Sequence, residues 1–184
     1  TIGLKNIPTR GKVIFASNHA SFLDPMTLFH TIPRRHRAIT AGYLFKFWWL
    51  GWAFKATDCI PTNDSPIEQA LTALKNKEAV LIFPEGKCRC RKNQVLCRNP
   101  KKGIVVLALK TGAPVVPIAI KGTFEAWPVT RFFPYFFKKL EVHIGLPLHF
   151  ERYKSEDIPI DTLRKDLKLV MGEIKKLLLQ DSNP

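Results

Sequence analysis

Short runs of consecutive apolar residues alternate along the chain with segments whose apolar residues recur every three or four positions. An unbroken run of about four to eight apolar residues is typical of a strand that is buried on both faces of a sheet. Such runs predict strands at Val13–Ala16, Ala38–Ala41, Ala79–Phe83 and Pro114–Ile120. Because helical spacing separates them, the pattern predicts an α/β domain with a mixed, largely parallel sheet flanked by helices.

Local signals mark the ends of the predicted helices. Asp24 before Pro25 predicts a helix start with the aspartate as cap, and the segment from Ser65 to Glu68 has the sequence of a capping box. Further helices are predicted at Leu44–Phe54 and at Ile104–Leu109, the latter ending at Gly112. The last predicted helix, about residues 161–179, is amphipathic and has on one face Leu163, Leu167, Val170, Met171, Ile174, Leu177 and Leu178.

Length and charge narrow the function classes. The 184 residues favour one domain over residues 1–184, and the formal net charge of +14 indicates an anionic partner: nucleic acid, a membrane surface or a phosphorylated substrate. The longest stretch without charged residues, Val13–Leu23, is shorter than the roughly 20 residues of a membrane-spanning helix, so we expect none. We expect no signal peptide, and four cysteines are too few for a disulfide scaffold, which favours a reducing compartment.

The clearest candidate chemistry lies between the first predicted strand and its helix. If the loop there folds back, Asp24 accepts a hydrogen bond from one imidazole nitrogen of His19 and leaves the other as a general base. The alternative is a capping aspartate beside an incidental histidine. Glu85 follows another predicted strand, Ala79–Phe83. Because ligands of open parallel sheets bind beyond the carboxyl ends of the strands, His19 and Glu85 are expected at one edge.

A basic segment without acidic residues follows Glu85 and contains Lys87, Arg89, Arg91, Lys92, Arg98, Lys101 and Lys102. These side chains suit phosphate oxygens, and the alternative is a merely solvated loop. Lys101 is the strongest candidate, because it opens a predicted helix whose N-terminus also favours an anion. The cysteines of the same segment, Cys88, Cys90 and Cys97, lack the spacing of structural zinc sites, so we expect free thiols and no metal.

Two clusters of aromatic residues, at Tyr43–Phe54 and Phe132–Phe137, are bordered by Lys and Arg. Aromatic rings next to cations suit the membrane interface, and a packed aromatic core is the alternative for either cluster. A module that binds nucleic acid would also be basic and aromatic. The aromatic residues here lie apart from the main basic segment, which argues against nucleic acid.

Together these motifs resemble the glycerolipid acyltransferase family, over residues 13–122. The segment from Asn18 to Asp24 resembles the family's His-x4-Asp block, and Phe83-Pro84-Glu85-Gly86 resembles the start of its Phe-Pro-Glu-Gly-Thr-Arg-Ser block. Lys101-Lys102-Gly103 and the strand from Val116 to Ile120 resemble two later elements. Two positions depart from the family pattern: Cys88 and Asp64 stand where arginines are usual.

The resemblance implies a fold like that of glycerol-3-phosphate acyltransferase and transfer of a fatty acyl group from acyl-CoA or acyl-carrier protein to the hydroxyl of a lysophospholipid, lysophosphatidate above all, in phospholipid synthesis. His19 would be the base and Asp24 its partner. Acceptor-binding residues would be Glu85, Gly86, Lys87, Arg89 and Lys101. No metal or cofactor is implied, and the enzyme would be peripheral on the cytoplasmic face of a membrane. The alternatives are a different lipid acceptor and a non-catalytic module that binds anionic lipid or nucleic acid.

Overall fold

The computed structural model describes residues 1–46, 55–86, 96, 99–128, 135, 138–153, 155 and 157–180. Within these residues the strands are β1 (Val13–Ser17), β2 (Arg37–Thr40), β3 (Ile60–Pro61), β4 (Ala79–Ile82), β5 (Val115–Lys121) and β6 (Glu141–Ile144). They form one sheet in the order β3-β2-β4-β1-β5-β6. All neighbours are parallel except β5 and β6, which are antiparallel.

Helices cover both faces of this sheet. They are α1 (Leu23–Thr31), α2 (Pro66–Lys75), α3 (Gly103–Thr111), the single turn α4 (Thr123–Ala126) and α5 (Ile160–Leu179). Because side chains alternate along a strand, Ile14 of β1 packs in the core under α2, α3 and α5, while Phe15 packs in the core under α1. The molecule is therefore the α/β domain with a largely parallel sheet that the sequence predicts, and β1 lies at its buried centre.

The long apolar strands and the last helix were predicted correctly. Helix α3 ends at Gly112, whose φ of 65° is the left-handed conformation that glycine adopts most easily. Helix α5 buries Leu167, Val170 and Ile174 against the sheet. Lys121 at the end of β5 donates to the carbonyl of Gln180, so α5 ends at the same edge of the sheet as β5.

The predicted cap at Asp24 is wrong, and the predicted capping box at Ser65 has the right position without its hydrogen bond. Asp24 lies inside the first turn of α1 and Phe22 occupies the N-cap position, because the Asp24 carboxylate is used by the preceding loop. Ser65 does precede α2, but its φ of 38° is left-handed and its hydroxyl caps no N–H among the described residues. The proline at the first helical position fixes the start of α2 without that cap.

Two further predictions fall partly or wholly outside the residues that the structure describes. The described start of the predicted Leu44–Phe54 helix belongs to a 3-10 turn at Gly42–Lys46, and the rest lies outside the described residues. Cys88, Cys90 and Cys97 also lie outside them. Cys59 is described and is a buried free thiol.

Candidate active site

The loop between β1 and α1 brings His19 and Asp24 together. Nδ1 of His19 lies 2.8 Å from Oδ2 of Asp24, and the same oxygen accepts the main-chain N–H groups of Ala20 (2.6 Å) and Ser21 (2.8 Å). Asp24 is fully buried, whereas the His19 side chain keeps 17% of its surface exposed. The loop therefore wraps around one carboxylate and presents the imidazole at the surface.

This contact fixes the tautomer of His19. An ionised carboxylate can only accept, so with Asp24 ionised the hydrogen of the neutral imidazole is on Nδ1 and the lone pair is on Nε2. The ring of Phe83, which follows β4, stacks on the imidazole with a centroid distance of 4.3 Å and an interplanar angle of 25°. The carboxylate and the stacked ring together fix the direction in which Nε2 points.

Glu85 lies at the same edge, beyond the carboxyl end of β4. Its Oε1 accepts the main-chain N–H of His19 at 2.9 Å, and the residue is only 6% exposed. Since β4 and β1 are parallel neighbours, the two strand-end residues meet as the sequence predicts. The contact is made to the main chain of His19, which the sequence does not indicate.

Lys101 and Gly86 lie next to Glu85 at the end of β4. The N–H of Lys101 donates to the carbonyl of Pro84 at 2.7 Å, which ties the start of α3 to the end of β4. Gly86 has a φ of 73°, and a Cβ there would lie 3.4 Å from Cγ of Lys101. Lys101 and Lys102 are exposed beside the helix start. The other two predicted acceptor-binding residues, Lys87 and Arg89, lie outside the described residues.

Comparison with known proteins identifies the family. A family model described as Acyltransferase matches residues 1–121. The chain belongs to this acyltransferase family.

Two relatives of this chain are 1-acyl-sn-glycerol-3-phosphate acyltransferases. A chloroplastic 1-acyl-sn-glycerol-3-phosphate acyltransferase, BAT2 of Brassica napus, is 31% identical over 134 residues, which are 68% of this chain and 38% of the relative. The 1-acyl-sn-glycerol-3-phosphate acyltransferase of Bacillus subtilis is 29% identical over 153 residues, covering 79% of this chain and 71% of that protein. The chain thus spans well under half of the plant relative's length.

A solved structure supports the fold of this family member. The crystal structure of the 1-acyl-sn-glycerophosphate acyltransferase PlsC from Thermotoga maritima superposes with a TM-score of 0.76 at 26% sequence identity. The match covers 98% of this chain and 72% of that chain.

Three further residues contribute contacts to the site of this acyltransferase, and the sequence had assigned no role to them. The side chain of Asn18 makes two hydrogen bonds to the main chain of Ile120, and the Ser21 hydroxyl donates to the carbonyl of Trp127. Phe83 stacks on His19. For Asn18, its position directly after the buried strand β1 is a local sequence signal for a role at the site.

The aromatic clusters are described only in part. Tyr43 follows β2 and is 60% exposed, and Tyr135 is 54% exposed with its N–H donating to the carbonyl of Ala126. Since β2 and β5 point the same way and α4 directly follows β5, both tyrosines lie near the edge that carries His19. Phe45 of the first cluster packs instead against the core.

Other candidate features lie elsewhere or are absent from the described part of the chain. A cavity of about 420 Å³ opens where α1 ends and β2 begins, at the opposite edge of the sheet from His19, and is lined by Phe29, Ile32, Pro33, Arg34, Arg35, His36, Ala56 and Thr57. Among the described residues, no three His, Cys, Asp or Glu side chains are grouped as metal ligands. No described helix is long and apolar enough to cross a bilayer.

Proposed function

We propose that this chain transfers a fatty acyl group from a thioester donor, acyl-CoA or acyl-carrier protein, to the hydroxyl of a lysophosphatidate-like lysophospholipid in phospholipid synthesis. The observation that carries the proposal is the contact between His19 and the buried carboxylate of Asp24. The similarity to 1-acyl-sn-glycerol-3-phosphate acyltransferases supports the choice of acceptor.

The chemistry needed is modest, because a thioester is already activated. Nε2 of His19 accepts the proton of the acceptor hydroxyl while the hydroxyl oxygen attacks the thioester carbonyl. The tetrahedral intermediate then collapses, the carbon–sulfur bond breaks, and the imidazolium returns its proton to the departing thiolate. An ester and a free thiol result. A positioned base of this kind contributes about 10²- to 10⁴-fold to the rate.

Asp24 supports this step in two ways. It holds the hydrogen on Nδ1, and its negative charge stabilises the imidazolium that forms during the attack. Because the carboxylate is fully buried, water does not screen that interaction. The proposal needs neither a covalent acyl-enzyme nor a metal or cofactor, and both substrates react directly in one complex.

Acceptor binding is proposed for the basic residues at the start of α3. The exposed Lys101 lies beside the end of β4, close to Glu85, where it would meet a phosphate of the acceptor. Lys87 and Arg89 follow Glu85 and Gly86 in the sequence and are proposed for the same phosphate. Their positive charge is the chemistry that phosphate oxygens require.

Peripheral contact with the cytoplasmic face of a membrane is proposed for the clusters Tyr43–Phe54 and Phe132–Phe137. The exposure of Tyr43 and Tyr135 at the edge that carries His19 supports this placement. A lipid acceptor would then reach the base from the membrane without leaving it.

The test is acyl transfer followed by release of free thiol, with lysophosphatidate, lysophosphatidylcholine and a neutral monoacylglycerol as acceptors. We expect turnover with lysophosphatidate, its loss in His19→Ala, and normal turnover in the control His30→Ala, which removes an exposed histidine of α1. Normal turnover in His19→Ala would refute the mechanism. A preference for another acceptor would refute the assigned substrate and leave the base in place. Rapid covalent labelling by acyl donor alone would refute direct transfer.

A further inference from the structure

The main chain at His19 is held from two neighbouring strands after β1 has ended. Regular pairing stops at Ala16 opposite Ile82 on the β4 side, and at Ser17 opposite Ile118 on the β5 side. Beyond these residues the chain leaves the sheet to form the catalytic loop. Two buried side chains then replace the missing main-chain pairing.

On the β5 side the replacement is Asn18. Its Nδ2 donates to the carbonyl of Ile120 at 3.0 Å, and its Oδ1 accepts the N–H of the same residue at 2.8 Å. The side chain is nearly completely buried. A carboxamide has one donor and one acceptor side by side, as a peptide group has, so Asn18 continues the pairing with β5 beyond the last residue of β1.

On the β4 side the replacement is Glu85. Its Oε1 accepts the N–H of His19 at 2.9 Å, and the carboxylate group is buried at the end of the strand. A hydrogen bond from a peptide N–H to a carboxylate is charge-assisted and is stronger than one between neutral groups. The main chain at Asn18 and His19 is therefore tied to β5 through the Asn18 side chain and to the end of β4 through the Glu85 side chain.

We propose that Asn18 and Glu85 form a strand-end clamp whose role in the reaction is to position His19. Glu85 then acts through the main chain of His19 and does not bind the acceptor hydroxyls, in contrast to the expectation from the sequence. The inference rests on the proposed function, since it takes His19 as the base. Asp24 and Phe83 set the orientation of the ring within the loop, and the clamp sets where the loop lies relative to β4 and β5.

The two roles of Glu85 predict different kinetics. A residue that binds the acceptor contributes to KM, whereas a residue that positions the base contributes mainly to kcat. A shift of about 1 Å in a reacting group can cost on the order of 100-fold in rate. Loss of the clamp is therefore expected to lower kcat and to leave KM almost unchanged.

For Glu85 the experiment compares Glu85→Ala and Glu85→Gln in the thiol-release assay with lysophosphatidate. We expect Glu85→Ala to lower kcat about 10- to 100-fold with both KM values within about twofold of the parent. Glu85→Gln keeps an oxygen for the His19 N–H and should recover most of kcat. Glu78→Ala removes the same charge at the opposite end of β4 and should be nearly normal. A raised acceptor KM with an unchanged kcat, or a Gln variant as slow as the Ala variant, would overturn the proposal.

For Asn18 the matched pair is Asn18→Asp and Asn6→Asp. Each removes an Nδ2 donor from a main-chain carbonyl, since Asn6 donates at 2.8 Å to Ile144 of β6, which is two strands from β1 in the sheet. Both variants should lower the melting temperature, but only Asn18→Asp should lower kcat, by about tenfold or more. A kcat for Asn18→Asp equal to that of Asn6→Asp would refute the clamp.

Two further measurements distinguish a folding defect, failure of the clamp and failure of the proposed function. Should Glu85→Ala fail to fold, Glu85→Met replaces it, because methionine keeps the side-chain length and has no oxygen. His19→Ala is measured alongside. Full activity in His19→Ala would refute the proposed function itself. An inactive His19→Ala together with normal kcat values for the Asn18 and Glu85 variants would refute the clamp alone.

Discussion

Asp24 has a structural role in the loop and, in the proposed reaction, a chemical role as well. It is a carboxylate without exposed surface, and such a group costs several kcal/mol to bury unless donors compensate for the lost water. The main-chain N–H groups of Ala20 and Ser21 supply part of that compensation and bend the loop around the oxygen that orients His19. The local chain conformation is thus a consequence of the same carboxylate that the proposed reaction uses.

Replacement of Asp24 by Asn is expected to lower kcat on the order of 10²- to 10⁴-fold with little change in KM. The amide has the same shape, so its oxygen can still accept the main-chain N–H groups, but it is neutral and does not stabilise an imidazolium. Steady-state kinetics with circular dichroism would measure this. The control is Asp58→Asn, which removes the charge of an exposed ion pair with Arg35. Activity within about threefold of the parent would contradict the assigned role.

His36 is a buried histidine outside the site, and its burial predicts that the stability of the fold depends on pH. Its ring stacks on Phe29 at 4.5 Å, Nδ1 lies 2.9 Å from the carbonyl of Arg34, and Nε2 has no hydrogen-bond partner among the described residues. Burial lowers the pKa of His36 below its ordinary 6.5; the hydrogen bond with the Arg34 carbonyl opposes this shift, and the charge of Arg34 adds to it. The unfolded chain therefore takes up this proton more readily than the folded protein does.

From the direction of that shift, the contribution of His36 to stability is fully present above about pH 6.5 and is lost as the pH falls from there through the lower, folded-state pKa. Urea unfolding between pH 7.5 and 5 should show a decrease in the free energy of unfolding that is smaller in His36→Phe. Because phenylalanine does not titrate, comparison of the two slopes isolates His36. Equal slopes would contradict the prediction.

At the scale of elements, burial decides what the sequence reveals. β1, β4 and β5 are buried on both faces, so each is a mainly apolar run that can be recognised in one sequence without an alignment. β3 has two residues, and β6 alternates polar and apolar side chains at an edge of the sheet, so neither forms such a run. Asp24 is not the cap that was predicted, and Ser65 is at the N-cap without the predicted hydrogen bond, because local patterns do not show where a side chain finds its partner.

The contacts of the site also fall into two groups, local ones that the sequence can indicate and long-range ones that it cannot. His19 and Asp24 are five positions apart at the junction of the loop and α1, so the sequence offers their contact as one of two local alternatives, and the structure shows that it forms. The contacts of Asn18 with Ile120 and of Glu85 with His19 span 102 and 66 positions. They depend on which strands are neighbours, and strand order is a property of the whole sheet that the sequence of one segment does not contain.

Helix α3 provides a test of phosphate recognition at this scale. Its start is held at the end of β4 by the Lys101 N–H, so the Lys101 side chain and the helix dipole act at the same place. Lys101→Ala should raise KM for lysophosphatidate about five- to tenfold, the size of one exposed charge-assisted contact, and should affect a monoacylglycerol much less. Lys110→Ala, in the last turn of the same helix, is the control. Equal losses on both acceptors would assign Lys101 to the phosphates of the acyl donor.

At the scale of the whole molecule, the proposed catalytic residues and the exposed aromatic residues lie at one edge of the sheet. His19 follows β1, Glu85 follows β4, and the exposed Tyr43 and Tyr135 lie beyond β2 and α4. The net charge of +14 attracts an anionic surface over about a Debye length, and exposed rings at the edge would then enter the interface. Such an arrangement would bring a lipid acceptor to His19 along the plane of the membrane.

The double variant Tyr43→Ser, Tyr135→Ser tests this arrangement by flotation with vesicles that contain anionic lipid. We expect a smaller bound fraction at low salt and an unchanged melting temperature, since both side chains are more than half exposed. Phe45→Ala, in contrast, should lower the melting temperature, because Phe45 packs against the core. Salt should weaken binding of the parent and the variant alike, because the basic surface is the same in both. Unchanged flotation of the double variant would show that charge alone holds the protein at the vesicle, and the aromatic contact would have to be abandoned for these two residues.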